Sequence, residues 1–389
     1  MIFQQSRKTS RKKKTAGVRF WRLPQASFRL FGFNTTVSTI SPRMNIRCFY
    51  SSITPSGRIR HTITDKSESK PNATGKSIMT FQKKYYIYST FLFLTLILPQ
   101  ISHAEIRIVT TTEDIASITT EIGRDKVEVS AITRGYQDTH YIEAKPSYMV
   151  KANRADLLIY QGLELEVGWL PLLIRGARNP QIMPGGKGLL NLSSAIVPLE
   201  VPVGEVDRSR GDIHPLGNPH YHLDPENGLM MASAIAEKLK ELDPENAAGY
   251  TDNWNRFRQK LESKIIEWQS RLDAIPDKRV VTYHTTWSYF LHRFGIQSVG
   301  TLEDKPGVPP SPRHLADLAN KMNREKIKII LAANYHETRF SELLASKTGA
   351  RILSMPVSTG GVDEVTDYIG LFDYLVERMA AAFQSGEKS

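Results

Sequence analysis

Cysteine is almost absent: Cys48 is the only one in 389 residues. An intramolecular disulfide and a thiolate-rich metal site are both excluded by that count. Long hydrophobic runs are lacking too. The most apolar segment, Ile87–Leu98 (IYSTFLFLTLIL), is too short to cross a bilayer comfortably as a helix. No His-Glu-x-x-His spacing occurs, which removes the signature of a helical zinc protease. Acidic residues are scarce at one end only: residues 1–104 hold 2 Asp+Glu against 18 Lys+Arg.

That imbalance explains the net charge of +11, which would otherwise suggest nucleic acid as a partner. Residues 105–389 hold 33 basic and 38 acidic residues, so the patterned part of the chain is slightly acidic and no nucleic-acid partner is expected. The basic prefix is poor in aliphatic residues and has no sustained period, so residues 1–78 are read as a non-native or disordered extension preceding a second start at Met79. Lys83 and Lys84, the apolar run and the small residues Ser102 and Ala104 then describe a cleavable signal peptide over 79–104. Glu105 is the expected first residue of a secreted, periplasmic chain. Because no cysteine follows Ala104, that chain is expected to be soluble rather than a lipoprotein.

From Glu105 onwards short apolar runs alternate with segments of helical spacing. Strands are predicted over 106–110, 127–132 and 157–161, with helices over 115–122 and 147–154. From Pro225 a helix reaches Asp243. Trp254, Phe257, Leu261, Ile265, Trp268 and Leu272 then recur at three- and four-residue intervals, predicting one long helix over 245–275. Beyond Pro276 the alternation resumes: strands over 279–283, 298–302 and 327–331, helices over 287–294, 312–323 and 340–348, and a final helix over 367–383. The pattern is α/β with parallel sheets covered by helices. It divides into an N-terminal lobe over 105–244, a linking helix over 245–275 and a C-terminal lobe over 276–389.

Ten histidines are present, and three stand in loops at strand ends, where open α/β sheets build ligand sites. His140 lies in Asp138-Thr-His-Tyr, His220 in Asn218-Pro-His-Tyr-His, and His284 directly after the strand ending at Tyr283. Neutral imidazole suits zinc and other late first-row ions. Taken singly, a loop histidine is more often a solvated residue than a ligand. Asp138 or Glu143 could orient His140 through its second ring nitrogen. His222 reads as a packing residue, His292 and His314 as surface residues, and His214 as at most a transient metal-capture residue.

The chain resembles the zinc- and manganese-binding substrate-binding proteins of ABC importers. The resemblance rests on Asp138-Thr-His140 with Lys145-Pro-Ser147, Ala155–Glu164 with Trp169-Leu, Asn218-Pro-His220 with Leu223-Asp-Pro225, Tyr283–Phe290, and Pro309–Leu315. It implies two Rossmann-like lobes with parallel sheets joined by a long rigid helix, and a metal in the cleft between them. His140, His220 and His284 match the family's ligand positions. Histidine at 284 implies Zn²⁺ over Mn²⁺, since manganese-binding members tend to carry a carboxylate there. The family's fourth ligand, an aspartate, has no counterpart: Ser354 and Met355 stand in its place. Water, His336, Asp363, Glu364 or Asp367 remain for that position. The implied function is capture of a divalent ion and its delivery to the membrane permease by a monomer that is not an enzyme. An adhesin-type member of the same family and a three-histidine zinc hydrolase are the alternatives. Affinity should fall as the histidines protonate below about pH 6.

Overall fold

The computed structural model describes residues 105–204, 211 and 213–386, together with two short antiparallel strands, Ser52–Ile53 and Ile59–Arg60. The expected leader at 79–104, and the extension before it apart from those two strands, lie outside the described residues. Among the described residues no helix is long and apolar enough to cross a membrane.

Strand β1 (Ile106–Thr110, IRIVT) is rich in β-branched residues and buries Ile108, Val109 and Thr110, as a strand covered on both faces requires. It pairs in parallel with β2 (Val127–Ala131) on one side and β3 (Leu157–Tyr160) on the other; β4 (Leu189–Asn191) completes the sheet in the order β2-β1-β3-β4. The second sheet contains β5 (Arg279–Thr282), β6 (Gln297–Thr301), β7 (Ile329–Ala333) and β8 (Arg351–Met355). Its order is β6-β5-β7-β8, also all parallel. Both lobes therefore share one topology, and in each the order reverses beside the first strand. That is where ligands bind in open parallel sheets.

Helices fill the outer layers. In the first lobe, α1 (Glu113–Gly123) begins at Thr112, whose hydroxyl accepts from Ile115 N. The short helices α2 (Pro146–Arg154) and α3 (Leu170–Ala177) cover the opposite face, where Ala152, Leu158 and Leu173 form a satellite core. Next come α4 (Pro225–Leu242) and the long helix α5 (Ala247–Asp273). In the second lobe α6 (Ser288–Arg293) follows β5, while α7 (Pro312–Glu325) and α8 (Thr338–Thr348) enclose a second satellite core with Val281, Leu318, Ile330 and Leu344. The last helix, α9 (Tyr368–Gly386), packs on α5 and reaches α1.

The 27 residues of α5 extend about 40 Å at 1.5 Å per residue, and its buried face carries Tyr250, Phe257, Leu261, Trp268 and Leu272. Trp268 stacks on Phe372 of α9 at 5.3 Å and donates its indole hydrogen to Asp373 at 2.8 Å. The largest core runs without a break from Ile108 and Ile159 in the first sheet, through Leu261 and Trp268, to Val280, Leu331 and Leu353 in the second. A wide hinge opening would have to split this core. Exposing even 300 Å² of it would cost about 7 kcal/mol. Polar contacts hold the lobes together as well. Buried Asp114 of α1 accepts hydrogen bonds from Thr359 N (2.8 Å), Thr359 Oγ1 (3.0 Å) and Ser358 Oγ, all beyond β8.

Three elements lie outside the predicted pattern: the three-residue strand β4, strand β8 and the two-turn apolar helix α3. The strand predicted over 327–331 begins instead at Ile329. Lys326 takes a left-handed conformation (φ 57°) and Ile327 N still bonds Met322 O, so the end of the preceding helix takes up Ile327 before the strand starts.

Candidate metal centre

Three loops at the carboxyl ends of the sheets carry the three histidines. His140 sits in a single 3-10 turn after β2, capped by Asp138, whose Oδ1 accepts His140 N at 3.0 Å and stands 2.7 Å from His140 Nδ1. Burial works against the Asp138 carboxylate, but the hydrogen bonds and charge of His140 outweigh it and hold its pKa below the ordinary value. His284 follows β5, and its Nδ1 lies 2.7 Å from Glu303 Oε2. Glu303 comes from the loop after β6, where its own N–H donates to Tyr283 O at 3.1 Å. Asn218 fixes the third: its Oδ1 accepts His220 N at 2.9 Å and its amide donates to Thr285 O at 2.9 Å, tying the loops of His220 and His284 together.

The carboxylates decide the tautomers. A ring whose Nδ1–H is given to a carboxylate keeps its lone pair on Nε2, so His140 and His284 each present an acceptor nitrogen outward. This carboxylate–histidine arrangement is the usual support of a metal-bound imidazole. The ring centroids are 5.1 Å apart for His140 and His220, 6.0 Å for His220 and His284, and 6.3 Å for His140 and His284. Three imidazoles tetrahedral about one zinc ion would have centroids about 5.1 Å apart. Among the described residues no three donor side chains are already gathered as around a bound ion. The widest centroid separation, 6.3 Å between His140 and His284, exceeds that spacing by about an ångström.

His220 is 5% exposed, and its Nε2 is buried without a hydrogen-bond partner among the described residues. Burial, reinforced by the neighbouring imidazoles of His140 and His284, pushes its pKa well below 6.5, so the ring is held neutral. A buried imidazole nitrogen without a partner is costly unless something not made of protein completes it.

A fourth histidine joins the group. His214 Nε2 lies 3.2 Å from His140 Nε2, with ring centroids 5.3 Å apart. His336 approaches His284 to 6.3 Å but stacks on Tyr283 at 4.2 Å, and its Nδ1 accepts Ala333 N at 3.3 Å. Burial, with the nearby His284, lowers its pKa to about 4. With Nδ1 accepting, the neutral ring keeps its hydrogen on Nε2. His222 uses both nitrogens, on Gln161 Nε2 and Val357 O, each at 2.9 Å, and braces the cleft from behind. Glu143 and His292 are exposed, whereas His314 is half-buried, with Nε2 2.8 Å from Thr301 O.

The carboxylates considered for the fourth position stand elsewhere. Asp363 and Glu364 are exposed, and Asp367 Oδ1 accepts Gly370 N at 2.8 Å in the first turn of α9. Met355 is fully buried in the shared core, and the residues just beyond it, Ser358 and Thr359, clasp Asp114. Glu303 and His214 are the site residues that sequence reasoning under-read. Glu303 lies 19 residues after His284 with no motif linking them. His214 had a visible signal, its place in His-Pro-Leu-Gly-Asn-Pro-His, six residues before His220.

Residues 108–382 match the profile of the family described as zinc-uptake complex component A, periplasmic. The metal ABC transporter substrate-binding lipoprotein SsaB of Streptococcus sanguinis is 25% identical over 286 residues, covering 71% of this chain and 89% of its own. The manganese ABC transporter substrate-binding lipoprotein PsaA of Streptococcus pneumoniae serotype 4 is 25% identical over 288 residues, covering 72% and 89%. Among solved structures, a crystal structure of ZnuA aligns with a TM-score of 0.62 at 24% identity, covering 72% of this chain and 100% of that one. A Mn-bound periplasmic metal binding protein from candidatus liberibacter asiaticus aligns at 0.60 with 22% identity, again over 72% and 100%. The relatives correct one expectation. The absence of a lipid anchor was inferred from the lack of cysteine after Ala104, yet SsaB and PsaA are lipoproteins.

Proposed function

The chain belongs to the family of periplasmic component A proteins of zinc-uptake complexes, and from that premise we propose that His140, His220 and His284 capture a divalent metal ion between the two lobes. The protein is the substrate-binding component of a metal ABC importer and not an enzyme; its partners are the ion and the importer's permease. In this reading the ion is Zn²⁺, bound by a monomer. SsaB and PsaA are named as substrate-binding components of metal transporters, which favours import over an adhesin or a hydrolase.

The observation that carries the assignment is the partnerless, buried Nε2 of His220 between His140 and His284. Among the described residues no backbone group or side chain completes it, whereas a metal ion would. Asp138 and Glu303 give the other two rings the tautomer a metal needs. Imidazole nitrogen favours zinc over manganese, whose preferred ligands are oxygens. The test is competition titration of the full chain against a chromophoric chelator. His220→Ala should abolish high-affinity Zn²⁺ binding while leaving the fold intact by circular dichroism; wild-type affinity in that variant would refute the assignment.

A further inference from the structure

We propose that His214 is the fourth metal ligand, so that the ion is held by four imidazole nitrogens with no carboxylate in direct contact. The proposal rests on the reading of His140, His220 and His284 as ligands and extends it. Two nitrogens bound tetrahedrally to one zinc ion at ~2.05 Å stand about 3.3 Å apart. His140 Nε2 and His214 Nε2 are 3.2 Å apart. They are therefore already at chelating distance, facing each other across the place an ion would share.

The proton inventory supports the same conclusion. Asp138 holds the hydrogen of His140 on Nδ1, so His140 Nε2 is the acceptor and His214 Nε2–H the donor in the metal-free pair. A proton thus bridges two nitrogens that a dication would bridge instead. Binding shifts that hydrogen from His214 Nε2 to its Nδ1 by exchange with solvent, so the ring stays neutral, and no redox step is involved.

Local structure explains why His214 reaches the site. Gly217 N donates to His214 O at 3.1 Å, closing a four-residue turn with Pro215 at its second position, and Gly217 adopts φ +106°. Asn218 N then bonds Leu199 O at 2.8 Å, anchoring the end of the turn beside the residue that orients His220. One segment, 214–220, so delivers two imidazoles to one point. A side chain at position 217 would meet Pro198 and Leu199 O, at 2.7 and 2.9 Å, so this turn depends on glycine.

The protein side chains considered for the fourth position stand elsewhere, with Asp363 and Glu364 exposed to solvent. Met355 is buried in the apolar core, Asp367 caps α9, and His336 has its Nδ1 on Ala333 N. Charge balance is kept one layer out, where Asp138 and Glu303 place two carboxylates behind His140 and His284. Four neutral nitrogens around a dication, with its charge matched by carboxylates that do not touch it, select borderline late first-row ions such as Zn²⁺ against Mn²⁺.

The experiment compares His214→Ala and His214→Gln with the wild-type full chain and with His336→Gln and His220→Ala. Zn²⁺ and Mn²⁺ affinities are read by chelator competition, and the ligand set by the visible absorption of the Co²⁺-loaded protein and zinc X-ray absorption. Both His214 variants should lose at least about tenfold in Zn²⁺ affinity, with a smaller loss for Mn²⁺, and should show one imidazole fewer around the ion. The His336 variant should keep the wild-type spectrum. Unchanged Co²⁺ spectra and Zn²⁺ affinity in both His214 variants would overturn the proposal while leaving the three-histidine assignment intact. Retained affinity in His220→Ala would instead show that the underlying assignment has failed.

Discussion

Glu303→Gln isolates what one carboxylate behind a ligand is worth. Glu303 Oε2 accepts from His284 Nδ1 at 2.7 Å and from Gly307 N at 2.8 Å, with its side chain 12% exposed. Glutamine has the same length and still offers one acceptor oxygen, so the loop after β6 keeps its anchor and the fold should hold. Two things change. The negative charge behind the imidazole disappears, and the amide can present its NH₂ to Nδ1, driving the ring hydrogen to Nε2, where it blocks the metal. Loss of such a supporting partner costs about 10–100-fold in metal affinity, or about 1.4–2.7 kcal/mol. The assay is Zn²⁺ competition titration of both proteins, with urea unfolding of the metal-free forms to check that stability differs little. A double variant, Glu303→Gln with His284→Ala, should bind no more weakly than His284→Ala alone, because the carboxylate acts only through that ring. An affinity within about twofold of wild type, in a folded Glu303→Gln protein, would refute the argument.

Other outcomes follow from the same geometry. Asn218→Ala removes the acceptor of His220 N and the donor to Thr285 O, so both metal-free stability and Zn²⁺ affinity should fall, the former by about 2 kcal/mol in urea unfolding. Asp114→Ala strips Thr359 N–H of its acceptor at the clasp between the lobes and should cost roughly 3 kcal/mol, lowering the urea midpoint with little change in slope. The pKa of His336 is depressed from 6.5 to about 4, so between those values the unfolded chain binds a proton that the folded chain refuses. Its contribution to stability is therefore present above about pH 6.5 and lost as pH falls towards 4. The slope is up to about 1.4 kcal/mol per pH unit, and His336→Phe should flatten it by about one proton in metal-free unfolding curves. Saturating Zn²⁺ at about a hundred times Kd should stabilise the wild-type chain by about 2.7 kcal/mol, and His220→Ala by almost nothing.

The alternation of apolar runs and helical spacings, the long amphipathic segment read at 245–275 and the placing of His140, His220 and His284 in loops are local properties, and residue order alone determined them. Burial of one face at period two or 3.6 leaves its mark in any window of ten or so residues. Strands β4 and β8 and helix α3 were not read from that pattern and emerged only in the fold. The site was decided at a different level. Asp138 and His140 are neighbours in sequence, but Glu303 meets His284 only because β6 lies beside β5 in the sheet, and both loops leave the same edge. His214 reaches His140 across 74 positions because a glycine turn, anchored by Asn218 N on Leu199 O, brings it there. Sequence could name three imidazoles. Which nitrogen of each faces the cleft, and what stands where Met355 replaces a carboxylate, depended on contacts between strands and lobes that no local pattern encodes.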